Sequence, residues 1–153
     1  MVSRRRGRGF TLIELLTVVA ITAILSTMAA PAFKSLVAGQ RARLTSTDLY
    51  AALVLARSEA IKRDTQVTLQ PVGAGWQAGW SIPNPSDTGH PVANHGPVTG
   101  ATITGPDTVV YLPNGRVASD TPPSFDIAVD GASSHRCVAV DLSGRPRMQA
   151  TGC

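Results

Sequence analysis

Residues 10–30 read FTLIELLTVVAITAILSTMAA, 21 residues with one ionisable side chain, Glu14. As a helix this run measures about 31 Å, the thickness of the hydrocarbon core of a bilayer. Arg4, Arg5, Arg6 and Arg8 lie on its N-terminal side. Basic residues there leave residues 1–9 in the cytoplasm and the rest of the chain outside. Glu14 is the anomaly. A carboxylate in such a segment costs roughly 2.5–3.5 kcal/mol on insertion scales, so it needs a reason to be there.

Outward from this run the chain changes character twice. Pro31 follows directly and is expected to kink the helix rather than end it, because helical periodicity resumes. Apolar residues recur at Phe33, Val37 and Leu44, then at Leu49, Ala52, Leu53, Ala56 and Ala60, with Arg41, Arg43, Asp48, Arg57 and Lys62 opposite. A helix from about 11 to about 63 would be near 80 Å long. Asp64-Thr65 should end it. The apolar period then drops to two, at Val67 and Leu69, Trp76, Trp80 and Ile82, Val109 and Tyr111, Phe125, Ile127 and Val129, and Val138 and Val140. Gly- and Pro-rich turn sequences separate these runs. Residues 83–97 carry four prolines and no clear period, which reads as a surface loop. The fold class is therefore α+β: a long N-terminal helix, transmembrane in its first half, packed on an antiparallel sheet or sandwich head. The divisions are a leader at 1–9, a membrane helix at 10–30, its amphipathic continuation at 31–63, and a β-rich periplasmic head at 64–153.

Global charge says nothing about partners. Fourteen Lys and Arg against ten Asp and Glu give +4, but four of the arginines lie in the first nine residues. Without them the balance is zero, and any electrostatic argument must rest on a local cluster.

Three readings of the N-terminus compete: a secretory signal peptide with small residues at Met28-Ala29-Ala30, a plain membrane anchor, and a third carried by Gly9-Phe10-Thr11-Leu12-Ile13-Glu14. That string resembles the cleavage motif of type IV prepilins. The resemblance implies that an inner-membrane prepilin peptidase cuts after Gly9 and methylates Phe10. It also implies that Glu14, fifth from Phe10, pairs with the N-terminal amine of a neighbouring subunit. Later blocks sharpen the likeness. Ala56-Arg57-Ser58-Glu59-Ala60-Ile61-Lys62-Arg63 with Gln66-Val67-Thr68-Leu69, Gly75-Trp76-Gln77-Ala78-Gly79-Trp80, Leu112-Pro113-Asn114-Gly115-Arg116, and the ending from Arg136 to Arg147 are similar to the GspH/FimT group of minor pseudopilins and minor pilins.

Cys137 and Cys153 lie 16 positions apart in a segment assigned to the oxidising periplasm. Many pilins carry a comparable C-terminal bridge, so the resemblance favours a disulfide; two free thiols or a metal site are the alternatives, the last poorly supported without neighbouring ligands. His90, His95 and His135 read as solvated loop residues, and Trp76 and Trp80, four apart, as core residues on one face of a strand. No catalytic, metal or cofactor pattern emerges, and the chain does not read as an enzyme. The informative cluster is Ser143-Gly144-Arg145-Pro146-Arg147. If extended, Arg145 and Arg147 share a face about 7 Å apart. Pro146 suits an edge strand or loop. The two arginines lie within the Cys137–Cys153 loop, whose closure would limit their freedom. Guanidinium groups there suit phosphate oxygens, with Arg136 and Arg116 as possible extensions of the patch. The segment resembles the Gly-Arg-x-Arg motif of FimT-type minor pilins, which bind DNA in natural transformation; solvated turn arginines are the plainer reading.

The sequence thus points to a minor pilin with a nonspecific DNA-contacting surface, or alternatively a GspH-type pseudopilin of type II secretion. Expected partners are prepilin peptidase, other major and minor pilins, DNA and the inner membrane. Intact-mass analysis of membrane- or filament-extracted protein should find a chain beginning at methylated Phe10. An uncut N-terminus, or one beginning at Pro31, would eliminate prepilin processing.

Overall fold

The computed structural model describes residues 10–153 apart from 88 and 134, so the leader and the Gly9 cleavage position lie outside the described residues. The chain divides after Lys34 into two units, each described by itself.

Helix α1 spans Leu12–Arg63 and its helical assignment runs through Pro31. At its start Thr11 and Glu14 cap each other. The Glu14 amide donates to Thr11 Oγ1 at 3.2 Å, and Glu14 Oε2 accepts the Thr11 amide at 3.4 Å. This reciprocal pair satisfies backbone donors that the first helical turn leaves open. Each described large apolar side chain from Phe10 to Phe33 is more than half exposed. The hydroxyls of Thr17, Thr22, Ser26 and Thr27 bond carbonyls of the preceding turn at 2.7–2.9 Å, so an apolar medium would find no bare hydroxyl there. This part of α1 is long and apolar enough to cross a membrane.

In the second unit α1 buries Leu49, Ala52, Leu53, Ala56 and Ala60, as the periodicity predicts. Nearer the N-terminus the buried face differs from the expected one. Ala38, Ala42, Thr45 and Ser46 face inward, while Phe33 and Leu44 are exposed and Val37 is only half-buried. Small residues let the helix axis approach the sheets closely, and the larger apolar side chains are left on the opposite face. Asp64 adopts φ 49°. Its amide bonds the Ile61 carbonyl at 3.4 Å and that of Thr65 bonds Ala60 at 3.3 Å, which closes the helix end in a Schellman motif without glycine.

Eight strands follow: β1 Val67–Pro71, β2 Trp80–Ile82, β3 Ala93–His95, β4 Ala101–Thr104, β5 Val109–Tyr111, β6 Ser124–Val129, β7 Arg136–Val140 and β8 Pro146–Gln149. They form two four-stranded antiparallel sheets, β3-β2-β1-β5 and β4-β6-β7-β8. Alternate residues of both sheets, among them Val67, Leu69, Tyr111, Phe125, Ile127 and Val138, join the buried face of α1 in one core.

Two expectations are corrected. Trp76 and Trp80 are both buried but do not share a strand, because Trp76 lies in a 3-10 turn, Trp76–Ala78, ahead of β2. Trp76 meets Phe125 edge-on at 4.8 Å and donates its indole N–H to the Pro106 carbonyl at 2.7 Å. Residues 83–97 are not all loop, since β3 falls among them and pairs with β2. Its backbone pairs without an alternating apolar pattern, which is why periodicity does not find it. That segment is also tied to α1: Arg63 bonds Glu59 at 2.6 Å and Asn84 at 2.7 Å.

Cys137 and Cys153 are joined, with Cα atoms 5.0 Å apart. The bridge closes the open end of the β7–β8 hairpin, and the Cys153 amide is held by Asp126 at 3.1 Å. Closing a loop of this size stabilises by roughly 3 kcal/mol in the chain-entropy model. Reduction of the detergent-solubilised protein should lower its melting temperature by roughly 10 °C, read by circular dichroism. Rapid labelling of both thiols in native, unreduced protein would refute the staple.

Candidate functional site

Two hairpin turns of the same design meet at one end of the second unit. In the first, Leu112–Arg116, the Gly115 amide bonds Leu112 O at 2.8 Å, the Leu112 amide bonds Arg116 O at 2.8 Å, and Asn114 Oδ1 accepts the Arg116 amide at 3.0 Å. In the second, Asp141–Arg145, the Gly144 amide bonds Asp141 O at 2.8 Å and the Asp141 amide bonds Arg145 O at 3.1 Å. Asp141 Oδ1 accepts the Arg145 amide at 3.0 Å and the Ser143 hydroxyl at 2.5 Å. Both are three-residue loops whose last residue is a left-handed glycine, φ 77° at Gly115 and 82° at Gly144. An arginine follows the glycine in each.

The turns touch. A Cβ on Gly144 would overlap the Gly115 carbonyl oxygen and press on the Tyr111 ring, so glycine is required there by space as well as by backbone angle. Arg116 and Arg145, next to these glycines, are both exposed. Arg147 is exposed as well, opposite Ala139 near the start of edge strand β8. The expectation that Pro146 opens an edge strand therefore holds, and Arg116 joins the patch. The Asp141 carboxyl lies below its ordinary pKa, first through the Ser143 hydroxyl, then the Arg145 amide, with Arg147 a smaller contribution. The ionised form that orders the turn thus persists at neutral pH, and its stabilisation is lost only as pH falls through the lowered value.

Arg136 does not join the others. It pairs with Ile127 in the β6–β7 ladder, so it shares the parity of the inward-facing Phe125 and Val138. Arg147 pairs with Ala139 and takes the opposite face. Arg136 is half-buried at the disulfide end of the hairpin, remote along the strand from the turn. For the same reason the disulfide is not what restrains Arg145. Asp141 and the abutting Gly115 turn do that.

Arg57 belongs to this site and periodicity had placed it on the outer face of α1. It is half-buried, and its Nε–H donates to the Gly115 carbonyl at 3.0 Å. The contact spans 58 positions, so no local signal announces it. Tyr111 is buried nearby. Burial pushes its hydroxyl well above the ordinary tyrosine range, with Arg57 opposing, and the hydroxyl has no hydrogen-bond partner among the described residues.

His90 and His135 are exposed loop residues, as expected, and only His95 departs from that reading. His95 lies in β3, stacked on Trp80 at 4.0 Å with Nε2 3.5 Å from Asp48. His90 and His135 pair with Asp87 and Asp126, each at 2.7 Å. Each histidine thus has its own aspartate, and among the described residues no three His, Cys, Asp or Glu side chains gather as a metal site would require.

Residues 45–144 match the family described as Type II transport protein GspH, and residues 4–30 match the prokaryotic N-terminal methylation motif. No curated protein matches. Among solved structures, the type IV minor pilin FimU of Pseudomonas aeruginosa is similar in two crystal forms. One has TM-score 0.61 and 22% identity over 70% of this chain and 87% of that one, and the other has TM-score 0.61 and 23% identity over 70% and 91%. The minor pseudopilin EpsH of the Vibrio cholerae type 2 secretion system has TM-score 0.57 and 17% identity over 72% and 97%. These likenesses establish the pilin fold, with one long helix on two antiparallel sheets. With a methylation motif ahead of it and a family match across most of the head, this chain belongs to the GspH family of minor pilins and pseudopilins.

Proposed function

We propose that this chain is a minor pilin whose head binds DNA nonspecifically through Arg116, Arg145 and Arg147. The observation that supports the reading is the abutment of the two Gly–Arg turns, which presents three exposed arginines on a rigid base. Rigid donors lose less entropy on binding. Guanidinium groups grip phosphate oxygens and release counterions, which needs no base contact. A second reading keeps the same head in a type II secretion pseudopilus, where the turns dock a neighbouring subunit or exported protein. The family description favours it.

Full-length protein in detergent should bind unrelated duplexes with similar affinity, because phosphate contacts carry no sequence information. Three arginines account for a log–log salt slope of roughly −2 to −3. Arg145→Ala with Arg147→Ala should remove most of that dependence, by fluorescence anisotropy, and leave the melting temperature almost unchanged. Wild-type protein without salt-sensitive binding, or a double variant that binds as well as wild type, would hand the case to the secretion reading.

For Glu14 we propose the assembly role that its type IV pilin resemblance implies: pairing with the N-terminal amine that prepilin peptidase exposes on a neighbouring subunit. Its capping contact with Thr11 offers a rival explanation of the same residue. Glutamine serves as well as glutamate in such a cap but carries no charge. Glu14→Gln should therefore enter filaments as poorly as Glu14→Ala, measured by immunoblot of sheared filaments. Normal incorporation of Glu14→Gln would reduce the residue to a cap.

A further inference from the structure

A groove of about 490 Å³ opens between α1 and the start of β8, walled by Val54, Arg57, Ser58, Ile61 and Lys62 on the helix and by Pro146 on the strand. Arg145 and Arg147 flank that proline. We propose that this groove carries the phosphodiester backbone of bound DNA away from the turn tips, with Arg57 and Lys62 as phosphate ligands in addition to Arg116, Arg145 and Arg147. The inference rests on the DNA-binding reading above and extends its footprint onto the helix.

Two observations carry it. First, Arg57 spends one N–H on the Gly115 carbonyl, and no carboxylate is in ion-pair contact with it among the described residues. A guanidinium has five donors, so the remainder stay available on a head group whose orientation is already fixed. Second, the acidic residues near the groove are committed elsewhere. Glu59 is buried against Arg63 at 2.6 Å, with Lys62 a looser 3.6 Å away and 72% exposed. Asp141 is engaged with Ser143 and the Arg145 amide, and among the described residues no acidic side chain lines the groove.

The lining also selects the part of DNA that fits. Among the described residues no aromatic side chain lines the groove, so they offer bases no stacking platform there. Val54 and Ile61, both partly exposed, suit the apolar edge of deoxyribose between two phosphates. A backbone strand laid there would meet Lys62 and Arg57 along the helix and would have to cross the β8 edge to reach Arg147, which faces the opposite side of the sheet from Pro146.

The test uses full-length protein in detergent and fluorescein-labelled duplexes of unrelated sequence, titrated across a salt series. With five phosphate ligands the wild-type log–log slope should be about −4 to −5 rather than the −2 to −3 of the three turn arginines alone, and Lys62→Gln and Arg57→Gln should each reduce its magnitude by about 1. Arg57→Lys, which keeps the charge, should stay close to wild type. Among the described residues Lys62 has no hydrogen bond or ion pair with the turns, only its loose pair with Glu59, so thermal melts of both Lys62→Gln and Arg57→Gln separate lost phosphate contact from altered folding. Unchanged slopes in both neutral variants, with binding still lost in the Arg145→Ala, Arg147→Ala protein, would overturn this inference and leave the turn-tip site intact. A Lys62→Gln protein with the wild-type slope beside an Arg57→Lys protein as defective as Arg57→Gln would also overturn it, by making Arg57 only a clamp on Gly115. Wild-type protein without salt-dependent binding would remove the DNA reading itself.

Discussion

The carbonyl oxygen of Gly115 occupies the place where residue 144 would carry a side chain, and the arrangement of the head's arginine-bearing end depends on that close approach. Gly115 belongs to the hairpin that leaves the first sheet and Gly144 to a hairpin of the second, and the two sheets share no strand. The contact therefore fixes one sheet's turn against the other's. Arg57 adds the helix, because it donates to the same carbonyl oxygen that faces Gly144. Three structural layers meet at one backbone atom. Side chains that follow these glycines inherit positions set by backbone geometry rather than by their own packing, and so can stay exposed and still be ordered.

The helix solves a related problem of reach. One continuous element must present a large apolar surface at one end and a close-fitting seam at the other. Between Ala38 and Ala60 half of the buried positions are alanine, and the others are Thr45, Ser46, Leu49, Leu53 and Glu59. Small side chains let the axis lie close over both sheets, and the large aliphatic ones of the sheets fill the remaining volume. What is left over on the outer face, at Leu44, Val54, Leu55 and Ile61, is more apolar than a helix facing only water needs. That surplus suits a subunit whose helix lies among other helices in a filament.

Much of this was legible in the sequence because it is local. The 21-residue apolar run, the lone carboxylate at Glu14, and the switch from a period near 3.6 to a period of two each need only a window of residues. Residues whose role depends on register were not legible. Arg136 and Arg147 look equivalent in the sequence, yet pairing with Ile127 in one case and Ala139 in the other sends them to opposite faces. Arg57 was read as a solvent-face residue because helical period describes one helix and not what a distant hairpin brings to it. Strand β3 escaped notice since its ladder is made by backbone atoms, while Ala93, Asn94 and His95 show no alternation. Glu14 has a second, local role: Thr11-Leu12-Ile13-Glu14 has the spacing of a capping box, a signal independent of the charge that makes the residue anomalous in an apolar run.

Asp141 shows how such a patch balances order against charge. Placing a carboxylate beside Arg145 and Arg147 weakens their attraction for phosphate, so a surface shaped for electrostatic strength alone would omit it. Its geometry answers the objection. One oxygen takes both the Arg145 amide and the Ser143 hydroxyl, so the negative charge is directed into the turn and partly screened by its own backbone. An alanine at 141 would leave that amide unpaired and the loop free to open, and the arginines would gain net potential while losing position. A modest local field on a fixed scaffold suits binding that need not choose a sequence. Repeated along a filament, weak contacts of this kind add through effective concentration rather than through the strength of any one site. The acidic residue is therefore compatible with the proposed binding surface, because the turn it orders fixes where the arginines start while water and salt screen its charge.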